Sequence, residues 1–171
     1  MIDILTGLAS RRRFAEFLGH DWRRAGDEQS SIAVMLLDVD FFDQYNSTRG
    51  RPAGDTCLRR IAGIIAARVK RSSDLVARDD GDRFAVVLAG ADEAGVRGVA
   101  EWLRAEIEGH MMAHGASSVS DYVTVSVGFS VMTPRTGARA EVLVASAEAA
   151  LARAKELGRN AVVAGSSVGA P

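Results

Sequence analysis

Two short apolar runs, residues 75–78 and 84–88, flank the acidic stretch Asp79-Asp80-Gly81-Asp82. An Asp-Gly pair between β-prone runs signals a tight hairpin, because the turn needs positive φ and glycine adopts it without penalty. This pattern commits the chain to a sheet containing an antiparallel strand pair. The tip is unusual, since three carboxylates crowd one turn. Acids that close repel one another unless a cation or a basic partner sits among them. By itself the stretch reads equally as a solvated polar turn.

The flanking pattern places the hairpin in a larger fold. Ser10 can cap a helix whose apolar face is Phe14, Phe17, Leu18 and Trp22. Residues 32–37 form an unbroken apolar run ending at Asp38, which predicts a central strand buried on both faces. Residues 55–69 carry helical spacing through Leu58, Ile61, Ile64, Ile65 and Val69. A second long helix is predicted over 92–108, with Val96, Val99, Leu103 and Ile107 inward. Residues 122–131 alternate as a strand, 139–156 form an Ala-rich helix, and 160–164 a last edge strand. The order β-α-β-β-α-β predicts an α+β, ferredoxin-like sandwich with a mostly antiparallel sheet flanked by helices.

At 171 residues the chain holds one domain with enough length for a real core. That domain is expected over 1–164, with the small, polar residues 165–171 a disordered tail. A net charge of −1 gives no global field toward nucleic acid or an anionic membrane. The lone Cys57 excludes an internal disulfide and fits a reducing, cytoplasmic compartment, where a buried inert thiol is expected. No apolar run approaches the ~20 residues of a membrane span.

The longer motifs then point to a family. Asp3-Ile4-Leu5-Thr6-Gly7-Leu8-Ala9-Ser10-Arg11-Arg12-Arg13-Phe14 resembles the D-x-L-T-G-L-x-N-R-R-x-F opening of GGDEF domains, the diguanylate cyclases. The resemblance continues through Asp38-Val39-Asp40-Phe41-Phe42, Asn46, Gly54-Asp55, residues 123–128 and the closing Ala154-Lys155-Glu156-Leu157-Gly158-Arg159-Asn160. The blocks keep family order and spacing over nearly the whole chain. The name-giving turn stands here as Asp80-Gly81-Asp82-Arg83-Phe84. Such domains share a core with nucleotide cyclases and polymerase palms. Family members usually carry a sensory or dimerising domain ahead of this region, so the chain reads as a bare or excised output domain.

The resemblance implies a site. Asp38 and Asp82 would be the catalytic carboxylates, and with the Val39 carbonyl they would hold Mg²⁺ when GTP is bound. Asn46 and Asp55 match the guanine-reading pair, and Lys155 and Arg159 the triphosphate contacts. Four positions depart from the family. Asp80 replaces the first turn glycine, Arg83 replaces the second acid, Asp43 stands for a phosphate-binding lysine, and Arg51 for a histidine. Asp43 and Asp80 add negative charge beside a polyanion, at a cost on the order of a few kcal/mol for each close pair. Arg83 is expected to offset part of this or to pair with Asp80. These changes predict an inactive or weak cyclase.

A second motif is intact. Arg71-Ser72-Ser73-Asp74 matches the family's R-x-x-D inhibitory site, five residues ahead of the turn. That match implies cyclic di-GMP binding by Arg71 and Asp74, with Trp102 and Arg104 as secondary candidates. Arginine reads guanine O6 and N7 with a bidentate fork. The favoured expectation is therefore a cyclic di-GMP receptor that reports to a protein partner or an adjacent sensory domain. An active Mg²⁺-dependent cyclase working as a homodimer, and a GTP-sensing or structural dimerisation domain, are the alternatives.

Overall fold

The protein's computed structural model describes residues 1–166. The chain runs α1 (Arg11–Glu28), β1 (Ile32–Val39), α2 (Phe42–Arg49), α3 (Arg51–Arg68), β2 (Leu75–Asp80), β3 (Arg83–Ala89), α4 (Glu93–Gly109), β4 (Val125–Met132), α5 (Ala140–Glu156) and β5 (Val162–Ala164). The five strands order as β2-β3-β1-β4-β5. β1 pairs antiparallel with both β3 and β4, β2 pairs antiparallel with β3, and β5 alone adds in parallel, to β4. Removing α1, α2, α5 and β5 leaves the expected β-α-β-β-α-β sandwich.

β1 is central because seven of its eight residues are apolar. All eight of its residues are buried. Ala33, Met35, Leu37 and Val39 face a core shared with α3 and α4, through residues such as Leu58, Ile61, Val96 and Leu103. Ile32, Val34 and Leu36 face a second core under α1 and α5, with Phe14, Leu18, Leu143 and Leu151. Position 38 continues the second set, so the Asp38 side chain emerges on the α1/α5 face at the strand's end. Helix α5 lies very close to β4, and Gly128 makes this possible. A Cβ there would meet the Leu151 backbone and sit 2.6 Å from the Ala147 carbonyl oxygen.

Several local signals act as anticipated. Ser10 caps α1 by accepting from the Arg13 N–H, and Asp92 caps α4 by accepting from the Gly95 N–H. Gly81 takes φ +44° at the hairpin. Cys57 is buried, and burial pushes its thiol up to about 11. The opening motif also gains a physical role. Asp3 accepts from the Thr6 N–H and hydroxyl, and from Arg78, which also donates to the Gly81 carbonyl. The N-terminal loop is thereby pinned to the hairpin.

The boundaries differ in three places. β2 continues through Asp80 after a bulge, so the loop is only Gly81-Asp82. The helix expected to begin at 55 begins at Arg51, with Pro52 in its first turn, and a separate helix α2 precedes it. β4 starts at Val125 rather than 122. Of the anticipated tail, the Gly165 N–H donates to the Phe129 carbonyl at 2.6 Å and the Ser166 carbonyl accepts from Ser146. Residues 167–171 lie outside the described residues. Among the described residues no helix is long and apolar enough to cross a membrane.

Candidate functional site

Asp38 and Arg83 are cross-strand partners in the β1–β3 register, so their side chains leave the same face of the sheet. The Arg83 Nε lies 2.9 Å from Asp38 Oδ1, and an Nη nitrogen 3.4 Å from Oδ2. Lys155, on the last turn of α5, places its ammonium on Oδ2 from the other side. The Asp38 side chain is only 9% exposed. Burial opposes its ionisation, but Arg83 and Lys155 outweigh that and hold the carboxyl below its ordinary range.

Asp82 behaves in the opposite way. It sits in the two-residue loop, where its carbonyl accepts from the Val39 N–H at 3.2 Å. Burial and the neighbouring Asp38 charge push its carboxyl above the ordinary range. Asp38 and Asp82, two members of the expected trio, are thus brought to one corner. Its principal carboxylate, however, already has a cation on each oxygen. Among the described residues no group of three or more His, Cys, Asp or Glu side chains is arranged to hold a metal ion. The residues present do not fit a divalent cation at Asp38, because both of its oxygens are already taken by Arg83 and Lys155.

Arg83 was expected to offset charge or pair with Asp80. It pairs instead with Asp38, and more loosely with Glu148 of α5 at 4.0 Å. The reason is burial: a carboxylate removed from water gains far more from a cation than one in solvent. Asp80 and Asp43 are both exposed.

The base-reading candidates come together across the α2–α3 junction. Asn46 lies midway along α2 and Asp55 in the second turn of α3, where Gly54 packs so tightly that any Cβ would collide with the Asn46 amide. Asn46 Oδ1 is buried with no hydrogen-bond partner. Arg159 follows α5 at φ +65° and lays its guanidinium 4.6 Å from the Phe41 ring centroid.

One residue was visible in the sequence but not assigned a role. Asp40 is 2% exposed and accepts from Thr124 Oγ1 at 2.8 Å, Ser126 Oγ at 2.6 Å and the Asn160 N–H at 3.0 Å. It anchors the left-handed turn at Arg159 and Asn160, next to Lys155. Its signal was available: an acid just past a fully buried strand must find donors.

The second site lies at the other end of β2, about 17 Å away at the usual rise per strand residue. Arg71 is 65% exposed, and its Nε is 3.9 Å from Asp74. Asp74 is 3% exposed and accepts the Ala89 N–H through Oδ1, while its N–H donates to the Arg71 carbonyl. The R-x-x-D segment is therefore a closed turn that projects the arginine. Trp102 is 40% exposed, with the Arg68 guanidinium 5.5 Å from its ring centroid near the end of α3. Arg104 points elsewhere, to Glu101, Glu108 and Asn160.

Comparison with known proteins bears on family and fold. The family described as "Diguanylate cyclase, GGDEF domain" matches residues 1–161. The response regulator PleD of Caulobacter vibrioides is 36% identical over 163 residues, which is 94% of this chain and 35% of PleD. The chain thus spans about a third of the length of the first curated relatives it matches. Among solved structures, the GGDEF domain of DgcB from Caulobacter crescentus, in complex with c-di-GMP, superposes with a TM-score of 0.85 at 31% identity, covering 95% of this chain and 92% of that one. The diguanylate cyclase SiaD of Pseudomonas aeruginosa, in complex with its activator SiaC, gives 0.84 at 32%, covering 95% and 61%.

Proposed function

The chain belongs to the GGDEF domain family of diguanylate cyclases, and from that membership we propose that this domain is a cyclic di-GMP receptor with little or no cyclase activity of its own. The observation that carries this reading is the contrast between its two sites. At the cyclase corner, Asp38 is occupied by Arg83 and Lys155. At the R-x-x-D turn, Arg71 projects into solvent with only a loose partner. An exposed guanidinium keeps its fork available for guanine O6 and N7 or for phosphate. That a 31% identical GGDEF domain was solved with c-di-GMP supports the ligand class.

In this reading Arg71 reads the base or phosphate and Asp74 holds the turn. Trp102 offers a stacking face, whereas Arg104 serves the Asn160 turn. Output passes to a protein partner or an adjacent domain. Cyclase chemistry would need Asp38 and Asp82 free for Mg²⁺, together with a second copy carrying the second GTP.

Calorimetry with cyclic di-GMP tests the proposal, alongside a product assay with GTP. Micromolar or tighter binding is expected. Arg71→Ala should cost at least ~1–3 kcal/mol, the value of a bidentate base contact. Asp74→Asn keeps an acceptor for the Ala89 N–H and removes only the charge beside Arg71. Undiminished binding by Arg71→Ala sinks the receptor reading. Turnover of GTP that disappears in Asp38→Ala sinks the claim of inactivity.

A further inference from the structure

Arg83 and Lys155 bring two positive charges to the place where the family resemblance implies one divalent ion. We propose that this pair substitutes for the cation, so that the cleft binds the polyphosphate of a purine nucleotide without any metal. This inference rests on family membership and on the Asp38 clamp, not on the receptor reading of the R-x-x-D turn.

Donor capacity supports it. A guanidinium has five N–H donors in a fixed fork. Arg83 spends two nitrogens on Asp38, and its remaining Nη is 4.0 Å from Glu148, outside hydrogen-bond range. Its side chain is 30% exposed, so the unused donors are reachable. Lys155 is 35% exposed and spends one of its three donors on Asp38. Arg159 adds a third cation, steadied over Phe41. A metal would first have to displace a charge-assisted, two-point arginine contact from a carboxylate that is 9% exposed. A phosphate group displaces nothing, because it meets donors already held in position by Asp38.

A base contact is available from α3. Asp55 is half-buried and accepts hydrogen bonds, whereas Asn46 Oδ1 is buried against Gly54. A carboxylate acceptor favours a purine edge that offers N–H donors, as guanine does. Asp82 and Glu148 face the same cations and will hold the affinity down.

The test is calorimetric titration of GTP into the chain carrying Arg71→Ala, so that the R-x-x-D turn is silent. One titration is run in Mg²⁺ and one in EDTA, and the two affinities should agree within about twofold. In EDTA, Arg83→Gln should weaken binding about tenfold, the value of one charge-assisted hydrogen bond. Arg83→Lys should retain part of the affinity and guards against misfolding of the Gln variant. Arg83→Glu should make binding depend on Mg²⁺. Manganese titrated alone and followed by electron paramagnetic resonance should show no bound ion in the parent. GTP binding that vanishes in EDTA, no GTP binding in either buffer, or undiminished binding by Arg83→Gln each overturns the proposal. Failure of cyclic di-GMP to bind the parent would overturn only the receptor reading.

Discussion

Arg83→Ala should lower stability measurably, and the size of the loss follows from where Asp38 sits. Breaking a buried pair by removing one partner costs ~3–5 kcal/mol, whereas an exposed pair contributes ~0–1. Asp38 is 9% exposed, Arg83 is 30% exposed, and Lys155 remains on the carboxylate. An intermediate loss of about 2 kcal/mol is therefore expected. For a domain of this size that lowers Tm by about 4–8 °C. Asp38→Asn should cost a similar amount, since it leaves two half-buried cations without their counter-ion. The double variant should lose less than the two singles together, with a coupling of about 1–2 kcal/mol. The pH dependence gives an independent check. The folded-state carboxyl of Asp38 lies below its ordinary 3.8, so its contribution is present above that value and fades as pH falls through the folded one. The deficit of Arg83→Ala should accordingly shrink below about pH 4. Thermal melts of the four proteins at pH 7 and pH 3 decide the matter. Strict additivity, or a deficit unchanged at pH 3, would refute the clamp.

Asp82 should show the reverse sign: its folded-state carboxyl is raised, so ionising it at neutral pH costs stability, and Asp82→Asn should raise Tm at pH 7 but not at pH 3. Gly128→Ala should destabilise by about 3 kcal/mol or more, because α5 must lift off β4, whereas Gly63→Ala, mid-helix and in open space, should stabilise by about 0.5–1 kcal/mol; denaturant melts compare the two. Combining Asp80→Gly, Arg83→Glu and Asp43→Lys should make GTP binding depend on Mg²⁺ and raise its affinity there non-additively, and turnover is best assayed with an appended coiled coil that supplies a dimer. A folded triple variant that binds GTP no better than the parent would refute the account of the altered turn.

How much of the fold can be read in advance depends on what defines each element. An unbroken apolar run defines β1 and helical periodicity defines α1 and α4, and these appear where the sequence puts them. The pairing of β2 with β3 follows from Asp80-Gly81, since a glycine at positive φ closes a two-residue loop. Helix α2 has no such signature. Only Phe42 and Tyr45 of its eight residues are buried, and its start is set by Phe41 at φ +53°, which propensity does not foresee. Pro52 did mark the true start of α3, because proline suits a helix's first turn. The parallel β5 is legible only as an edge strand; its direction depends on α5 crossing back over the sheet.

The site divides in the same way. The resemblance names Asp38, Asp82 and Lys155 together, and the structure sets Lys155 on Asp38 and the Asp38 charge beside Asp82. Spacing does not say which acid Arg83 will choose. Two acids were adjacent by sequence or turn, Asp80 and Asp82, and one lay 45 residues away. The β1–β3 register decides for the distant one, because it sets Asp38 opposite Arg83 on the same face and Asp38 is the most buried of the three. This choice explains how the altered turn stays compatible with the fold. With a carboxylate at position 83, Asp38, Asp82 and the new acid would face one another with Lys155 as the nearest cation, an arrangement that calls for a divalent ion. With arginine there, the same corner carries its own counter-charge. In the proposed reading, arginine at position 83 supplies the counter-charge that a divalent ion would otherwise supply.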